Sequence, residues 1–348
     1  MKHFGIFDPY LHILGGAERY ILAIAQSLSS ECQTVLFTKH PDRVSEAQKK
    51  FGFTVPGLTT KPWPETVASR LSTLYQLDLF LYVTDGSLFV SPAKKNLLLI
   101  QTPVHIPRRT FINSFKLRSW QTVLCYSQFM ADIIAKRLPV QPKTLFVPVS
   151  NRVNEIPAKE NMILSVGRFF PELHNKKQKE MVEIFRTLVS RLPNVHLYLV
   201  GSVDPGGENY LESVKTVAQG LPVTILTNCS YDELCALYAK AKIYWHATGF
   251  GEDLEKFPEK AEHFGVSTIE AMSYGCVPVV FGGGGQKEIV IHNKNGFIWN
   301  SANELALLTQ KLFTEPQLAN ELAKAAHVSS ASYGPEVFSL QLHEILAE

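Results

Sequence analysis

The sequence predicts an α/β protein built from two doubly wound, parallel-sheet domains that face one another across a cleft. Three observations carry this. Strand-length apolar runs alternate with helical patterns almost from the first residue, the pattern of successive β-α-β units. A polar segment with two prolines, residues 148–160, interrupts the series and reads as a linker. At 348 residues the chain also exceeds the ~150 residues that one core usually organises. The first domain spans 1–152 and the second 153–334.

Taken in order, a strand at 4–7 leads into a helix at 17–28 and a strand at 34–37. Further strands fall at 79–83, 97–100, 122–125 and 144–147, with helices near 63–77 and 127–138. The second series places strands at 162–166, 195–200, 223–226, 243–246 and 277–281, each separated by enough chain for a helix. Sheets of this kind bind ligands beyond the carboxyl ends of their strands, so the functional residues are sought there. Neither series carries a strict G-x-G-x-x-G between strand and helix, which argues against a nicotinamide or flavin oxidoreductase.

Composition narrows the class. Apolar residues make up 45% and charged residues 19% of the chain, with a mean hydropathy of +0.01, values of an ordinary globular protein rather than a disordered one. The apolar runs are far shorter than the ~18 residues of a membrane-spanning helix. The N-terminus, Met-Lys-His-Phe-Gly-Ile-Phe-Asp-Pro, has charge and proline where an export signal has an apolar core, so a cytoplasmic location is expected. Five cysteines, Cys32, Cys125, Cys229, Cys235 and Cys276, are scattered without a C-x-x-C pair, which argues against a disulfide framework or a zinc site and for reduced thiols.

The net charge of +2 conceals an asymmetry. Residues 1–150 hold 17 Lys and Arg against 9 Asp and Glu, a balance of +8, whereas residues 151–348 hold 17 against 23, a balance of −6. The first half therefore faces something anionic: phosphate, nucleic acid or a lipid surface. Within it, residues 108–120 interleave Arg108, Arg109, Lys116 and Arg118 with Phe111, Ile112, Phe115 and Trp120. That stretch fits either an interfacial helix making peripheral membrane contact or an ordinary amphipathic surface helix.

Three segments could carry chemistry. Gly15 and Gly16 stand between the first strand and its helix, where paired glycines either let a ligand approach the free amides of the helix start or supply a tight turn. Gly167-Arg168 ends a strand, and Lys176, Lys177 and Lys179 open the following helix, which runs toward Leu192. Cations at that end oppose the helix dipole, and either an anion nearby explains them or they form a solvated basic patch; Arg168 offers a fork and Lys176 a point charge for a diphosphate. The third segment is Glu262-His263-Phe264-Gly265-Val266-Ser267-Thr268-Ile269-Glu270. Ser267 and Glu270 fit a capping box, whereas Glu262 lies ahead of the helix. Two carboxylates and the amides of Phe264, Gly265 and Val266 would make a cradle for a sugar nucleotide. Four glycines, Gly282 to Gly285, form a second loop of close approach or of simple flexibility.

These residues resemble glycosyltransferase family 4, the retaining GT-B group also described as glycosyl transferases group 1. Glu262 and Glu270 match the family's E-x7-E element, followed by Glu-Ala-Met-x-x-Gly-x-x-Pro-Val-Val. Ser165-Val166-Gly167-Arg168 with Lys176 resembles its donor-diphosphate pair, and Gly15-Gly16-Ala17-Glu18 its N-terminal glycine loop. The likeness is close over residues 160–300 and holds in outline before them. It implies two Rossmann-like domains, the first for the acceptor and the second for the donor, with residues 335–348 crossing back to pack on the first. It further implies that Arg168 and Lys176 hold the diphosphate and stabilise the leaving group, and that Glu262 binds donor sugar hydroxyls. Glu270 would bind the ribose, the amides of Phe264 to Val266 the sugar and phosphate, and the Asn228 to Tyr231 region the base.

Two departures stand out. Many relatives carry a His-x-Pro at the end of an N-domain strand, where this chain has Gln101-Thr102-Pro103. An amide can bond a sugar hydroxyl but does not titrate, so an imidazole would have to come from His105. Residues 252–260 form an insertion before the E-x7-E element.

The resemblance implies transfer of a hexose-type sugar, with retention and without a dedicated metal or other cofactor, from a UDP- or GDP-sugar to a hydroxyl of a glycan or lipid-linked acceptor. A GT-B sugar-nucleotide epimerase or phosphorylase, or a non-catalytic sugar-nucleotide binder, is the alternative. No nucleic-acid motif accompanies the basic half, so a nucleic-acid partner is not expected.

Overall fold

The computed structural model describes residues 1–13, 15–172 and 174–348; Leu14 and Leu173, within two of the segments singled out above, lie outside the described residues. The chain forms two compact units, one of 1–148 with 335–348 and one of 149–334.

In unit 1 the elements run β1 (Lys2–Phe7), α1 (Gly16–Ser27), β2 (Cys32–Phe37), α2 (Val44–Phe51), β3 (Thr59–Lys61), α3 (Val67–Tyr75), β4 (Leu79–Val83), β5 (Lys95–Leu99), α4 (Phe111–Leu117), β6 (Thr122–Cys125), α5 (Gln128–Arg137) and β7 (Lys143–Thr144). The seven strands are parallel in the order β3-β2-β1-β4-β5-β6-β7. The direction of winding reverses between β1 and β4, which opens a crevice at their carboxyl ends. Central strands buried on both faces need continuous apolar runs, and Leu79–Val83 is buried at every position.

The sequence reading and the structure differ at short or edge elements. Residues 144–147 do not form a strand: β7 is a two-residue edge strand, beyond which Leu145 N–H still donates to Cys125 O (2.9 Å). The three residues of β3 are all exposed and polar, too short for a periodicity to reveal. Helix α3 starts later than residue 63 because Thr66 caps it, its Oγ1 accepting from Ser69 N–H (3.1 Å). The last helix of the chain, Pro335–Ala347, packs within this unit. Its Phe338 meets Tyr20 edge-on (5.8 Å) and Phe146 (6.0 Å), and Leu346 O accepts from Lys95 Nζ (2.6 Å).

Unit 2 runs β8 (Glu160–Val166), α6 (Gln178–Arg186), β9 (His196–Gly201), α7 (Glu208–Ala218), β10 (Val223–Thr227), α8 (Tyr231–Lys240), β11 (Ala241–His246), α9 (Val266–Ser273), β12 (Val277–Phe281), α10 (Gln286–Ile289), β13 (Phe297–Trp299), α11 (Ala302–Thr314) and α12 (Pro316–Ser330), after which the chain re-enters unit 1 as α13 (Pro335–Ala347). Six parallel strands lie in the order β10-β9-β8-β11-β12-β13, with the reversal between β8 and β11. Helix α6 ends at Arg186 rather than near Leu192, because the chain continues in tighter turns, Leu188 N–H bonding Phe185 O and Arg191 N–H bonding Leu188 O. Trp245, Phe185, Trp299 and Phe297 fill the core between the sheet and α6, α11 and α12. All five cysteines are free, and no described helix is long and apolar enough to cross a membrane.

Candidate functional site

The reversal between β8 and β11 is where unit 2 gathers its charge. Beyond β8 come Gly167 and Arg168, and beyond β11 come Ala247 and Thr248. Gly167 is required by packing: a Cβ there would stand 2.4 Å from Lys176 Cγ, so the missing side chain makes room for the lysine stem. Gln178, the first residue of α6, fixes the turn by donating from Nε2 to the carbonyls of both Gly167 and Arg168 (3.1 Å each). Tyr210 OH bonds Gln178 Oε1 and Asn175 Oδ1 (3.1 Å each), and Asn175 Oδ1 also accepts from Lys177 N–H (2.7 Å).

Lys176 Nζ donates to Glu262 Oε2 at 2.6 Å, with side chains only 17% and 14% exposed. His246 Nε2 lies 2.8 Å from the same oxygen and 3.3 Å from Thr248 Oγ1. Burial works against a charge on Glu262, but the Lys176 ammonium, then the His246 hydrogen bond, outweigh it and hold the carboxyl well below its usual range. Burial pushes His246 down, against the pull of Glu262. A carboxylate can only accept, so Nε2–H is the donor of that bond. His174 and His263 pack edge to face 4.3 Å apart. Burial, then the charge of Lys176, drives His174 down to about 4 against the pull of Glu262, and burial drives His263 down in the same direction.

Two braces hold this group. Gly285 N–H donates to Glu262 O (2.8 Å), and a Cβ on Gly284, whose φ is +64°, would sit 2.0 Å from that carbonyl. The four-glycine loop is thus a close approach rather than mere slack. The other brace is the 252–260 insertion: Glu252 accepts from Lys177 and Lys260 (2.7 Å each). Lys177 is the left-handed N-cap of α6 (φ 58°, ψ 36°), so the insertion anchors the residue next to Lys176. Arg168, 44% exposed, pairs with Asp204 Oδ2 at 2.6 Å.

Glu270 lies on α9, buried. The capping box expected of Ser267 and Glu270 does not form. The N-cap is Gly265 (φ 123°), two residues too early for that register, and Ser267 Oγ instead meets Tyr244 OH (2.7 Å). Glu270 Oε1 accepts from Tyr231 OH (3.3 Å) and Oε2 from Tyr238 OH (3.2 Å). The Arg152 guanidinium lies 4.7 Å from the Tyr231 ring centre. Asn228 holds a left-handed backbone (φ 60°) between β10 and α8. Phe264, Gly265 and Val266 form the start of α9, where the first amides have no intrahelical acceptor.

The remaining candidates belong to unit 1. Gly15 is the N-cap of α1, at φ −101°, and its N–H donates to Glu18 Oε2 (2.6 Å). Neither Gly15 nor Gly16 has a positive φ, so a left-handed turn does not explain them, and a Cβ on Gly16 would meet nothing within 4 Å. Gln101 is buried just beyond β5. His105 stacks on Tyr10 (5.5 Å, 4°), and burial pushes its pKa down, against Asp85. At the end of β1, Asp8 is fully buried with Oδ2 unpartnered, and burial raises its carboxyl to about 6 against the Tyr10 N–H bond.

The structure therefore brings Lys176 and Glu262 into direct contact, with Arg168 at the neighbouring strand end, and seats Glu270 among tyrosines on the following helix. Sequence reasoning missed His246, His174, Asp204, Tyr238 and Glu252. The polar ending of an apolar strand, Tyr244-Trp245-His246, was the signal available for the first.

Two Rossmann-like units, each a parallel sheet winding outward from a reversal point, are the make-up of the GT-B fold. The family model for glycosyl transferases group 1 matches residues 148–328, more than half of the chain, and the protein belongs to that family. Over 193 residues the chain is 27% identical to the GDP-Man:Man(3)GlcNAc(2)-PP-Dol alpha-1,2-mannosyltransferase of Dictyostelium discoideum, covering 53% of this chain and 36% of that protein. Over 176 residues it is 27% identical to the trehalose synthase of Pyrococcus horikoshii, covering 49% of this chain and 40% of that one. The match thus spans well under half the length of these relatives. Among solved structures, Anabaena HepE in complex with UDP and glucose aligns over 100% of both chains with a TM-score of 0.73 at 17% identity. The sucrose-phosphate synthase of Thermosynechococcus elongatus aligns over 100% of this chain and 98% of its own, with a TM-score of 0.72 at 16% identity. At such identities the likeness is one of fold.

Proposed function

We propose that the protein is a family 4 retaining glycosyltransferase that moves a hexose-type sugar from a UDP- or GDP-sugar to a hydroxyl of a glycan or lipid-linked acceptor, in the cytoplasm and without a dedicated metal. Unit 2 takes the donor and unit 1 the acceptor. The observation that carries the reading is the contact of Lys176 and His246 with one oxygen of Glu262 at the β8/β11 reversal. It supplies an ionised carboxylate for sugar hydroxyls and a cation for phosphate at one point. An ammonium has three donors, so Lys176 can keep Glu262 while turning another N–H to a donor phosphate. Arg168 leaves Asp204 or shares it to reach the same diphosphate, and the two cations stabilise the departing nucleotide as the bond to the anomeric carbon lengthens. Glu270 exchanges the Tyr231 and Tyr238 hydroxyls for those of the ribose. The base lies near Asn228, the sugar and phosphate against the amides of Phe264, Gly265 and Val266, and Gly16 leaves open the space beside α1. Gln101 and His105 contact the sugar or the acceptor. Glu262 and Glu270 are not a hydrolase acid and nucleophile pair in this reading, because their proposed contacts are donor hydroxyls and the ribose rather than the two sides of a glycosidic bond.

The test is nucleotide release from UDP- and GDP-hexoses, with a panel of sugar and lipid-linked hydroxyl acceptors, by the wild type, Lys176→Ala and Glu262→Ala. Acceptor-dependent release that falls about a hundredfold or more in both variants, with circular dichroism unchanged, is expected for lost transition-state contacts. Release at the wild-type rate by either variant removes that residue from the site. Isomerised donor without any acceptor would instead identify an epimerase.

A further inference from the structure

Unit 1 carries an apolar surface that the glycosyl-transfer reading does not use. Helix α4 buries only Leu117, leaving Phe111 91%, Ile112 64% and Phe115 60% exposed. Helix α3 buries only Leu74, leaving Val67 70%, Leu71 42% and Tyr75 75% exposed, four residues apart along one stripe. Leu74 and Leu117 enter the same apolar cluster, together with Phe80 and Trp120, so the two helices cover one face of the sheet. Isolated exposed apolar residues need no explanation, but two aligned sets on one face do.

The charge around α4 has one sign. Residues 86–131, 46 in all, contain Lys94, Lys95, Arg108, Arg109, Lys116 and Arg118 and no Asp or Glu. Lys94 pairs with Asp78, whereas among the described residues Arg108, Arg109, Lys116 and Arg118 have no carboxylate partner, and the three arginines are exposed. A second copy of the chain docked on this face would bring two such cation sets together and be repelled. A bilayer with anionic headgroups answers both features: aromatic and aliphatic side chains settle at the boundary of headgroup and acyl chain, while the long basic side chains reach phosphate.

We propose that the α3/α4 face of unit 1 docks on an anionic lipid bilayer, with Phe111, Ile112 and Phe115 inserted and Arg108, Arg109, Lys116 and Arg118 on lipid phosphates. This docking is independent of the transfer reaction, and so is its test. The full chain is sedimented with sucrose-loaded vesicles of phosphatidylcholine alone or of an equimolar mixture with phosphatidylglycerol, at low and high salt. Partition into the anionic vesicles about tenfold above the neutral ones, weakened by salt, is expected of such a surface. Phe111→Ser with Phe115→Ser, and separately Arg108→Gln with Arg109→Gln, each lower it about tenfold without changing Tm. Equal binding to both vesicles, no binding to the anionic ones, or undiminished binding by the serine pair would overturn the proposal. So would a dimer in light scattering that the serine pair dissolves, which would assign the face to a second copy.

Discussion

Acidification from pH 7 to pH 5 is expected to destabilise unit 2 through His174. In the folded chain burial, then the Lys176 charge, brings this imidazole from 6.5 down to about 4. An unfolded chain takes up the proton near 6.5, whereas the folded one does not until about 4. The stabilisation from the neutral ring is therefore complete above 6.5 and is lost progressively as pH falls from 6.5 to 4. Proton linkage between those two values gives a loss of about 2 kcal/mol between pH 7 and pH 5 from this residue alone. His246 and His263 are pushed the same way and add losses of the same sign. His174→Asn removes the titration, and asparagine tolerates the left-handed backbone at that position (φ 54°). Its lost ring contact with His263 costs about 1 kcal/mol at either pH and cancels in the comparison. Urea unfolding followed by circular dichroism at both pH values, for wild type and variant, measures the difference, and an NMR titration of the His174 ring reads its pKa directly. Equal losses in the two proteins, or a ring that titrates near 6.5, would refute the reasoning.

Three other substitutions separate stability from binding. Lys159→Met removes a half-buried ammonium that donates to Tyr238 O and Ala239 O (3.0 Å each), and should lower the unfolding free energy by about 1–3 kcal/mol while leaving nucleotide affinity in calorimetry unchanged. Gly284→Ala places a Cβ 2.0 Å from Glu262 O on a left-handed backbone; a fall in stability of about 2 kcal/mol or more, with loss of donor binding because Glu262 is displaced, is the expected result in thermal melts and calorimetry. Glu252→Gln frees Lys177 and Lys260 from their shared anion. It should raise the donor KM about fivefold with little change in kcat, since it loosens the loop that positions Lys176 rather than touching the reacting bond, and steady-state kinetics decide.

Both sheets could be read from the sequence because their central strands, such as Leu79–Val83 and Val277–Phe281, are continuous apolar runs flanked by helical patterns. The edge strands could not, since Thr59–Lys61 and Lys143–Thr144 are held by backbone pairing to a neighbour and carry no apolar signature. At the candidate site, Glu262, Gly265 and Glu270 stand out because they share one loop and helix. His246 and Glu252 reach the site from a strand end and an insertion, and only the fold brings His246 to Glu262 and Glu252 to Lys177. Ser267 misled for a local reason: the Ser-x-x-Glu spacing is right, but Gly265, at φ 123°, starts the helix two residues ahead of that serine. Glu270 is left facing Tyr231 and Tyr238, partners that lie on α8 and that no local spacing announces.

Donor binding by unit 2 is tested most directly by isothermal calorimetry and thermal shift with UDP-, GDP- and ADP-sugars, for wild type and Glu270→Ala. A ligand present at a hundred times its dissociation constant stabilises the folded state by about 2.7 kcal/mol, enough for a clear rise in Tm. The expected result is a rise with one nucleotide family that Glu270→Ala abolishes, which would also identify the base. No rise with any of the three, or a rise that Glu270→Ala leaves intact, would contradict the proposed donor site.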